Sequence, residues 1–233
     1  MISRKLLWTL CFSSYVFYAI TATEIGSALP SIRSELALSE SLAGIIASLQ
    51  SLAGVLAILG GALSDLFGKM RLVSLSLLIM GLGALLISGS PSALILGTSF
   101  FILGAGIGFF EASVNAFISD IFSEKRGMAI NLLHIGWNIG SALGPVLAAY
   151  IALSYGSWRL GYLIMFPLLL ISFIASSIIG AKLGKNGSSI SHEPRSMRPK
   201  QVLSILPLMM IPFLIVANQL GITAWLPSIL SDQ

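Results

Sequence analysis

One stretch decides the fold of this 233-residue chain: Gly61-Ala62-Leu63-Ser64-Asp65-Leu66-Phe67-Gly68-Lys69-Met70-Arg71. It is a short polar interruption between two long apolar runs. Its glycines, Gly61 and Gly68, allow a tight turn between closely packed helices. One acid, Asp65, and two bases, Lys69 and Arg71, crowd that turn. The stretch therefore predicts a charged connection between two helices that are otherwise almost entirely hydrocarbon.

The composition extends this interpretation to the whole chain. Hydrophobic residues make up 56% of it and charged residues only 9%, whereas soluble domains carry about 25% charge. A helix needs about 20 apolar residues to cross a bilayer. Seven runs approach or exceed this length: Leu6–Leu29, Leu42–Leu63, Leu72–Ser88, Ala93–Ile118, Met128–Leu153, Leu160–Ala181 and Val202–Ala224. We therefore predict an all-α, polytopic transmembrane helix bundle.

The distribution of basic residues predicts the orientation in a cell membrane. With the N-terminus inside, cytoplasmic segments hold eleven of the thirteen lysines and arginines, and the outer side holds only Arg33 and Arg159. The cytoplasmic set is Arg4, Lys5, Lys69, Arg71, Lys125, Arg126, Lys182, Lys185, Arg195, Arg198 and Lys200. This bias follows the positive-inside rule. The net charge of +4 thus reports topology and does not indicate a nucleic-acid partner.

The chain divides into three parts by composition. Residues 1–181 form a predicted six-helix unit, and residues 182–201 are polar, basic and turn-rich, which is typical of a cytoplasmic linker. Residues 202–233 contain the seventh span. The segment Leu29-Pro30-Ser31-Ile32 at the end of the first span is echoed by Leu226-Pro227-Ser228-Ile229 at the end of the seventh. The echo favours a duplicated six-helix unit whose second copy has only begun.

The pattern Gly-x-Leu-x-Asp-x-x-Gly-basic-x-basic, from Gly61 to Arg71, resembles the loop between the second and third helices of major facilitator transporters. The resemblance implies a solute carrier built from two six-helix halves, of which this chain holds one half and the opening helix of the other. It also implies that this motif latches the halves together when the carrier opens outward. The nearest plausible cations for Asp65 are Arg71 and Arg126.

The fifth span carries glycines four residues apart, in Gly136-x-x-x-Gly140-x-x-x-Gly144-Pro145. Such glycines form a groove that lets another helix approach closely, and the proline is expected to bend the helix. The run resembles the fifth-helix motif of the same superfamily. That resemblance implies a gating role for Gly140, Gly144 and Pro145, and it is most associated with proton-coupled exporters. Generic tight helix packing is the alternative.

A polar stripe lies on the other face of the same span. Its members are spaced three and four residues apart: Asn131, His134, Asn138 and Ser141. Polar side chains in hydrocarbon are costly unless they face partners or water. The stripe therefore predicts either the lining of a cavity or a structural hydrogen bond between helices.

Two carboxyl groups lie inside predicted spans, Glu24 on the first and Glu111 on the fourth, with Asn115 one turn after Glu111. Burial favours the neutral form of a carboxyl group, which can then release its proton when water or a cation arrives. Such a group suits proton coupling or solute binding, and a permanently neutral acid held by a neighbour is the alternative. We place His134 at a similar depth to Glu111, where contact would create a titratable pair.

The run from Glu111 through Asn115, His134 and Asn138 to Pro145 is similar to the fourth and fifth helices of fucose/glucose-type symporters of this superfamily. The resemblance implies a proton-coupled importer of sugars or similar small polar solutes. Glu111 would then carry the proton, with Asn115, His134 and Asn138 orienting the proton or the solute. Glu24 would assist from the first helix.

Other classes of function fit less well. The exporter-like glycine motif leaves a drug/metabolite:proton antiporter open, and a truncated, non-transporting membrane protein is a further alternative. No His-Glu-x-x-His, Gly-x-Ser-x-Gly or paired-aspartate motif indicates an enzyme, and no cofactor or metal is expected. The expected partners are a small solute, protons and lipid. Either a missing C-terminal half or a second copy would be needed to close the cavity, and a partial product is favoured.

Overall fold

The computed structural model describes residues 3–185, and these residues form seven α-helices and one short 3-10 turn. The elements are α1 (Arg4–Leu36), α2 (Glu40–Gly54), α3 (Ala57–Phe67), α4 (Lys69–Ser88), α5 (Ala93–Ile121), the 3-10 turn (Ser123–Lys125), α6 (Arg126–Tyr155) and α7 (Arg159–Lys185). Six helical segments are long and apolar enough to cross a membrane, with α2 and α3 together forming one of them. The all-α, multi-span class is confirmed. The predicted seventh span and most of the linker lie outside the described residues.

Several helices extend past the predicted apolar runs, and serine side chains cap the starts of two helices. The side chains of Ser39 and Ser92 accept hydrogen bonds from the backbone N–H groups of Leu42 and Ile95, which begin α2 and α5. Helix α1 continues through Pro30 to Leu36, well beyond its predicted end. Helices α6 and α7 also run continuously through a proline.

The turn between α3 and α4 requires only one of the two glycines, Gly61 and Gly68, that are expected to form it. Gly68 has φ 89°, a conformation that L side chains rarely adopt. Gly61 instead lies within α3, where a Cβ would meet no atom within 4 Å. The expectation that both glycines make the turn is therefore wrong for Gly61, because α3 is regular up to Phe67.

The second span is broken into α2 and α3, which the sequence does not predict. At the break, the N–H groups of Val55 and Leu56 donate to carbonyls three residues earlier, at 3.1 and 3.0 Å. A Cβ on Gly108 of α5 would lie 2.9 Å from both the Gly54 oxygen and the Ala57 nitrogen. The backbone of α5 thus touches the break directly, which explains why a glycine stands there.

The bundle has two main packing layers. Helix α4 lies between α5 and α7, while α1 packs along α6, and α2 and α3 pack on α5. A cluster of buried apolar side chains fills the centre, including Leu77, Met80, Phe100, Leu103 and Phe110. We call the end that carries Arg4, Lys5, Lys69, Arg71, Lys125 and Arg126 the basic end, and the other end the opposite end.

At the opposite end, Glu35 ties α1 to α7. Its carboxylate accepts hydrogen bonds from the Trp158 indole at 2.6 Å and from the Arg159 guanidinium at 2.8 and 3.1 Å. Arg159 also donates to the Ser88 carbonyl at the end of α4 and stacks over the Trp158 ring. One carboxylate therefore links three helix ends.

We expect Glu35→Gln to destabilise the bundle by about 1 kcal/mol, because the Glu35 side chain is 47% exposed and such ion pairs contribute little beyond this. The measurement is the midpoint of thermal unfolding in detergent. Glu40→Gln is the matched control, since among residues 3–185 Glu40 pairs only with Arg33, and its side chain is 66% exposed. Equal losses in the two variants would contradict a special role for the Glu35 contacts.

Candidate functional site

Glu111 on α5 is the centre of a polar cluster deep in the bundle. Its Oε1 accepts hydrogen bonds from the Tyr18 hydroxyl at 2.8 Å and from the Tyr15 hydroxyl at 3.4 Å. The Tyr15 hydroxyl also lies 3.3 Å from Nδ1 of His134 on α6. Three helices thus contribute to one connected set of titratable side chains, which we call the Glu111 cluster: Glu111, Tyr15, Tyr18 and His134.

The Glu111 and His134 side chains lie close together, as the prediction of a similar depth requires, but no hydrogen bond joins them directly. Tyr15 stands between them and contacts both. The reason is that α1 packs closely along α6 and presents its tyrosines to α5. Sequence reasoning missed Tyr15, since nothing in the periodicity fixes how α1 is rotated.

The glycine groove of α6 is what brings α1 so close. A Cβ on Gly140 would lie 2.5 Å from both the Ala19 Cβ and the Val16 carbonyl oxygen. A Cβ on Gly144 would lie 2.7 Å from the Ile20 carbonyl oxygen, and Gly136 faces Phe12. The helix that occupies the predicted groove is therefore α1, within the described half.

Aromatic rings surround the cluster. The Tyr18 and Trp137 ring centroids are 5.0 Å apart, and Phe110 contacts both tyrosine rings at 5.6 and 5.7 Å. Tyr15 and Tyr18 are buried, whereas Glu111, His134 and Trp137 are half-buried. The cluster is thus held on one side by packed rings and remains partly open on the other.

The remaining asparagines differ in their surroundings. Asn115 is half-buried, and its Oδ1 is a buried acceptor with no partner among the described residues. Asn131 and Asn138 are exposed, on the face of α6 away from the glycine groove. The polar stripe therefore runs from His134, which is in the cluster, to side chains on the open surface of the described bundle.

Glu24 does not join the Glu111 cluster. It is 1% exposed, and neither of its carboxyl oxygens has a hydrogen-bond partner among the described residues. A Cβ on Gly161 of α7 would lie 3.0 Å from Oε2 of Glu24, and the buried, unpartnered Tyr162 hydroxyl belongs to the same helix. Glu24, which the resemblance implies would assist Glu111 from the first helix, instead faces α7, because it lies six residues, about 9 Å along α1, from Tyr18.

At the basic end the charges pair differently from the predicted pattern. Asp65 is exposed and makes no ion pair with any described residue, and Arg71 and Arg126 are exposed as well. Lys69 instead forms an ion pair with Asp120 of α5. Neither Arg71 nor Arg126, the nearest plausible cations for Asp65, forms an ion pair with it among the described residues.

Among residues 3–185, no group of three or more histidine, cysteine, aspartate or glutamate side chains could hold a metal ion. The Glu111 cluster itself carries four groups that can exchange protons or form hydrogen bonds. They offer one carboxyl group, two hydroxyls and one imidazole, which can exchange protons and donate hydrogen bonds to a polar solute.

Comparison with known proteins assigns the chain to a family. The Major Facilitator Superfamily profile matches residues 8–233. The chain is 30% identical over 164 residues to a probable sulfoacetate transporter, SauU, of Cupriavidus necator, covering 70% of this chain and 38% of that protein. It is 30% identical over 160 residues to a gentisate transporter of Corynebacterium glutamicum, covering 68% of this chain and 36% of that protein.

Solved structures agree on the fold. A crystal structure of a mutant of the peptide transporter POT in complex with sulfate superposes with a TM-score of 0.68 at 21% identity. The match covers 96% of this chain and 46% of that one. The chain thus spans less than half the length of these relatives. Together with the six membrane-length helices, these matches show that the chain is a multi-pass membrane protein that belongs to the Major Facilitator Superfamily.

Proposed function

We propose that this chain is part of a proton-coupled transporter that moves a small polar solute by alternating access, with the Glu111 cluster as its coupling site. One observation carries the proposal: a half-buried carboxyl group in mid-span is bonded to two hydroxyls and linked to an imidazole. Ionisable groups inside membrane spans mark substrate and proton pathways. The relatives are transporters, which points to a non-enzymatic role.

A neutral, sugar-like solute is the candidate that the cluster's chemistry favours. Hydroxyl, imidazole and amide groups can orient a solute's hydroxyls, and the Trp137 and Tyr18 rings offer apolar contact. Every described lysine and arginine whose side chain is placed lies near a helix end, so none offers a fixed cation beside Glu111. Asn115 and Asn138 are proposed to help orient the solute. Import with protons is the direction that we favour.

A small organic acid is the second candidate. Two relatives carry sulfoacetate and gentisate in their names, and another, from Escherichia coli, is named for cyanate transport. An anion could bind beside His134 once Glu111 is protonated, since a protonated carboxyl group no longer repels it. Exchange of a metabolite for protons is the alternative direction.

The basic end is proposed to be the cytoplasmic gate. The excess of basic residues there supports this orientation in the cell membrane. Because Asp65 is exposed and unpaired in the described half, it is available to helices outside residues 3–185, in a second half or a second copy. Gly61, Gly68, Lys69, Arg71 and Arg126 belong to the same proposed gate. Gly140, Gly144 and Pro145 are proposed to let α6 move against α1.

Uptake into membrane vesicles tests the function. Vesicles from cells that express the chain are compared with vesicles from cells without it, using labelled glucose, fucose, sulfoacetate and gentisate as probes. We expect at least one probe to accumulate when the outside is acidic, and a protonophore to abolish the accumulation. Equal uptake of all four probes in both sets of vesicles would overturn the proposal.

Glu24 is proposed to act separately from the cluster, as a second buried carboxyl group that can hold a proton. Its complete burial and the lack of a hydrogen-bond partner among the described residues support this. The same assay on Glu24→Gln reports on this role independently of Glu111.

A further inference from the structure

We infer that Tyr15 relays a proton between Glu111 and His134, and so makes the protonation of one depend on that of the other. The inference rests on the proposed function, in which Glu111 is the coupling carboxyl group. It goes beyond that function because it assigns a positioning role to a residue on another helix.

The geometry that carries the inference is the near-equal spacing of the Tyr15 hydroxyl. Its oxygen lies 3.4 Å from Glu111 Oε1 and 3.3 Å from His134 Nδ1. A hydroxyl has one proton to donate and can accept as well. Tyr15 can therefore donate to only one of these partners at a time while accepting from the other.

Two arrangements follow. They contain the same number of protons, and they differ by the net transfer of one proton from His134 to Glu111. In the first, the Tyr15 hydroxyl donates to the Glu111 carboxylate and accepts from the Nδ1–H of a cationic His134. In the second, the histidine proton has moved to the Tyr15 oxygen and the original hydroxyl proton has moved to Glu111 Oε1. Glu111 is then a neutral acid, His134 is neutral with its proton on Nε2, and Tyr15 is unchanged.

Tyr18 contacts the same carboxyl group without taking part in this exchange. Its hydroxyl donates to Glu111 Oε1 at 2.8 Å, and the described residues show no hydrogen bond between Tyr18 and His134. A protonated carboxyl oxygen keeps acceptor capacity, so this bond can persist in both arrangements. Tyr18 therefore provides a matched control for Tyr15.

Few other titratable groups face the pair. From α1 these are Tyr15 and Tyr18, and α6 contributes His134 itself. On α4 the ionisable residues are Lys69 and Arg71 at the basic end, where Lys69 pairs with Asp120 of α5. Among the described residues of α2, α3 and α7, the ionisable side chains lie near helix ends or, for Tyr162, beside Glu24. The coupling between Glu111 and His134 therefore has one short route.

Infrared spectroscopy tests the relay without a solute. The carboxyl C=O band of Glu111 is followed against pH in the purified chain in nanodiscs, and Glu111→Gln identifies the band. We expect His134→Gln to move the titration midpoint of this band by about one pH unit, a tenfold change in the protonation equilibrium. In the Tyr15→Phe background, His134→Gln should move the midpoint of the Glu111 band by less than about a third of this amount. The effects of substitutions at residues that contact each other are not additive.

The Tyr18→Phe background is the control. It removes a hydroxyl that lies closer to Glu111 Oε1 than that of Tyr15 does, but it leaves the route through Tyr15, so the full effect of His134→Gln should persist there. An undiminished effect of His134→Gln in the Tyr15→Phe background would overturn the relay, because direct electrostatic interaction would then explain the coupling.

A second measurement leaves Tyr15 in place, in case its variant does not fold. The chain has two histidines, so nitrogen NMR of labelled histidine can resolve His134. We expect Glu111→Gln to change the fraction of His134 that carries a proton on Nδ1, and an unchanged fraction would overturn the relay. If the titrations are linked but no probe is transported, the proposed function fails while the relay stands.

Discussion

Glu111→Gln is expected to abolish proton-driven accumulation of solute while leaving exchange of solute across the membrane intact. Glutamine keeps the size of the side chain and can still accept the Tyr18 hydrogen bond, but it cannot release a proton. A membrane potential of 100 mV supplies about 2.3 kcal/mol per charge, which supports accumulation of about 50-fold for one proton and a neutral solute. We expect that ratio to fall to about one in the variant.

The measurement is the steady-state ratio of labelled solute inside and outside vesicles, together with counterflow in the absence of any gradient. Glu124→Gln is the matched control, because it removes the same charge from an exposed residue between α5 and α6. Retention of the wild-type ratio in Glu111→Gln would contradict the assignment. If Glu24→Gln alone collapsed the ratio, the coupling carboxyl group would lie at the α1–α7 contact instead.

Gly140→Val is expected to be the most destabilising of the substitutions considered for this chain. A single Cβ at this position already falls 2.5 Å from Ala19 Cβ and from a backbone oxygen of α1, and valine adds two further methyl groups. Overpacking costs about 1–3 kcal/mol and sometimes more, which exceeds the gain of up to about 1 kcal/mol from replacing a helical glycine with a better helix former. We expect α1 and α6 to separate or the bundle to fail to fold.

Unfolding midpoints in detergent measure this effect, with Gly140→Ala as the smaller step. Gly127→Ala is the control on the same helix, since a Cβ there meets nothing within 4 Å, and it should be neutral or slightly stabilising. Because α1 carries Tyr15 and Tyr18, the Glu111 titration should also change in any Gly140 variant that folds. A Gly140→Val protein as stable as the Gly127→Ala protein would contradict the groove as the basis of α1–α6 packing.

The number of described spans and the positions of the polar groups along them could be predicted from the sequence because both depend on local pattern. Apolar length located the six described spans, and antiparallel neighbours placed Glu111 and His134 at a similar depth. The glycines of α6 predicted a close contact. The sequence did not reveal that α1 would fill it, since a groove does not specify which helix it accepts.

What could not be predicted depends on helix rotation and on backbone contacts between helices. Tyr15 bridges the cluster only because α1 turns that face toward α5 and α6. The break between α2 and α3 arises where Gly108 of another helix meets the backbone. Lys69 pairs with Asp120 because the start of α4 lies beside the end of α5.

The accessibility of position 138 to a reagent on each side of the membrane tests most directly whether one polar face is exposed to both compartments in turn. Asn138→Cys is made together with Cys11→Ser, which removes the chain's only cysteine, and Ile171→Cys on an exposed apolar face of α7 is the control. A membrane-impermeant thiol reagent is applied from one side of sealed vesicles and then, separately, from the other. Alternating access predicts labelling of position 138 from both sides, with a balance that shifts with the proton gradient, and no labelling of the control. Labelling only by a lipid-soluble reagent, or from a single side under every gradient, would contradict it.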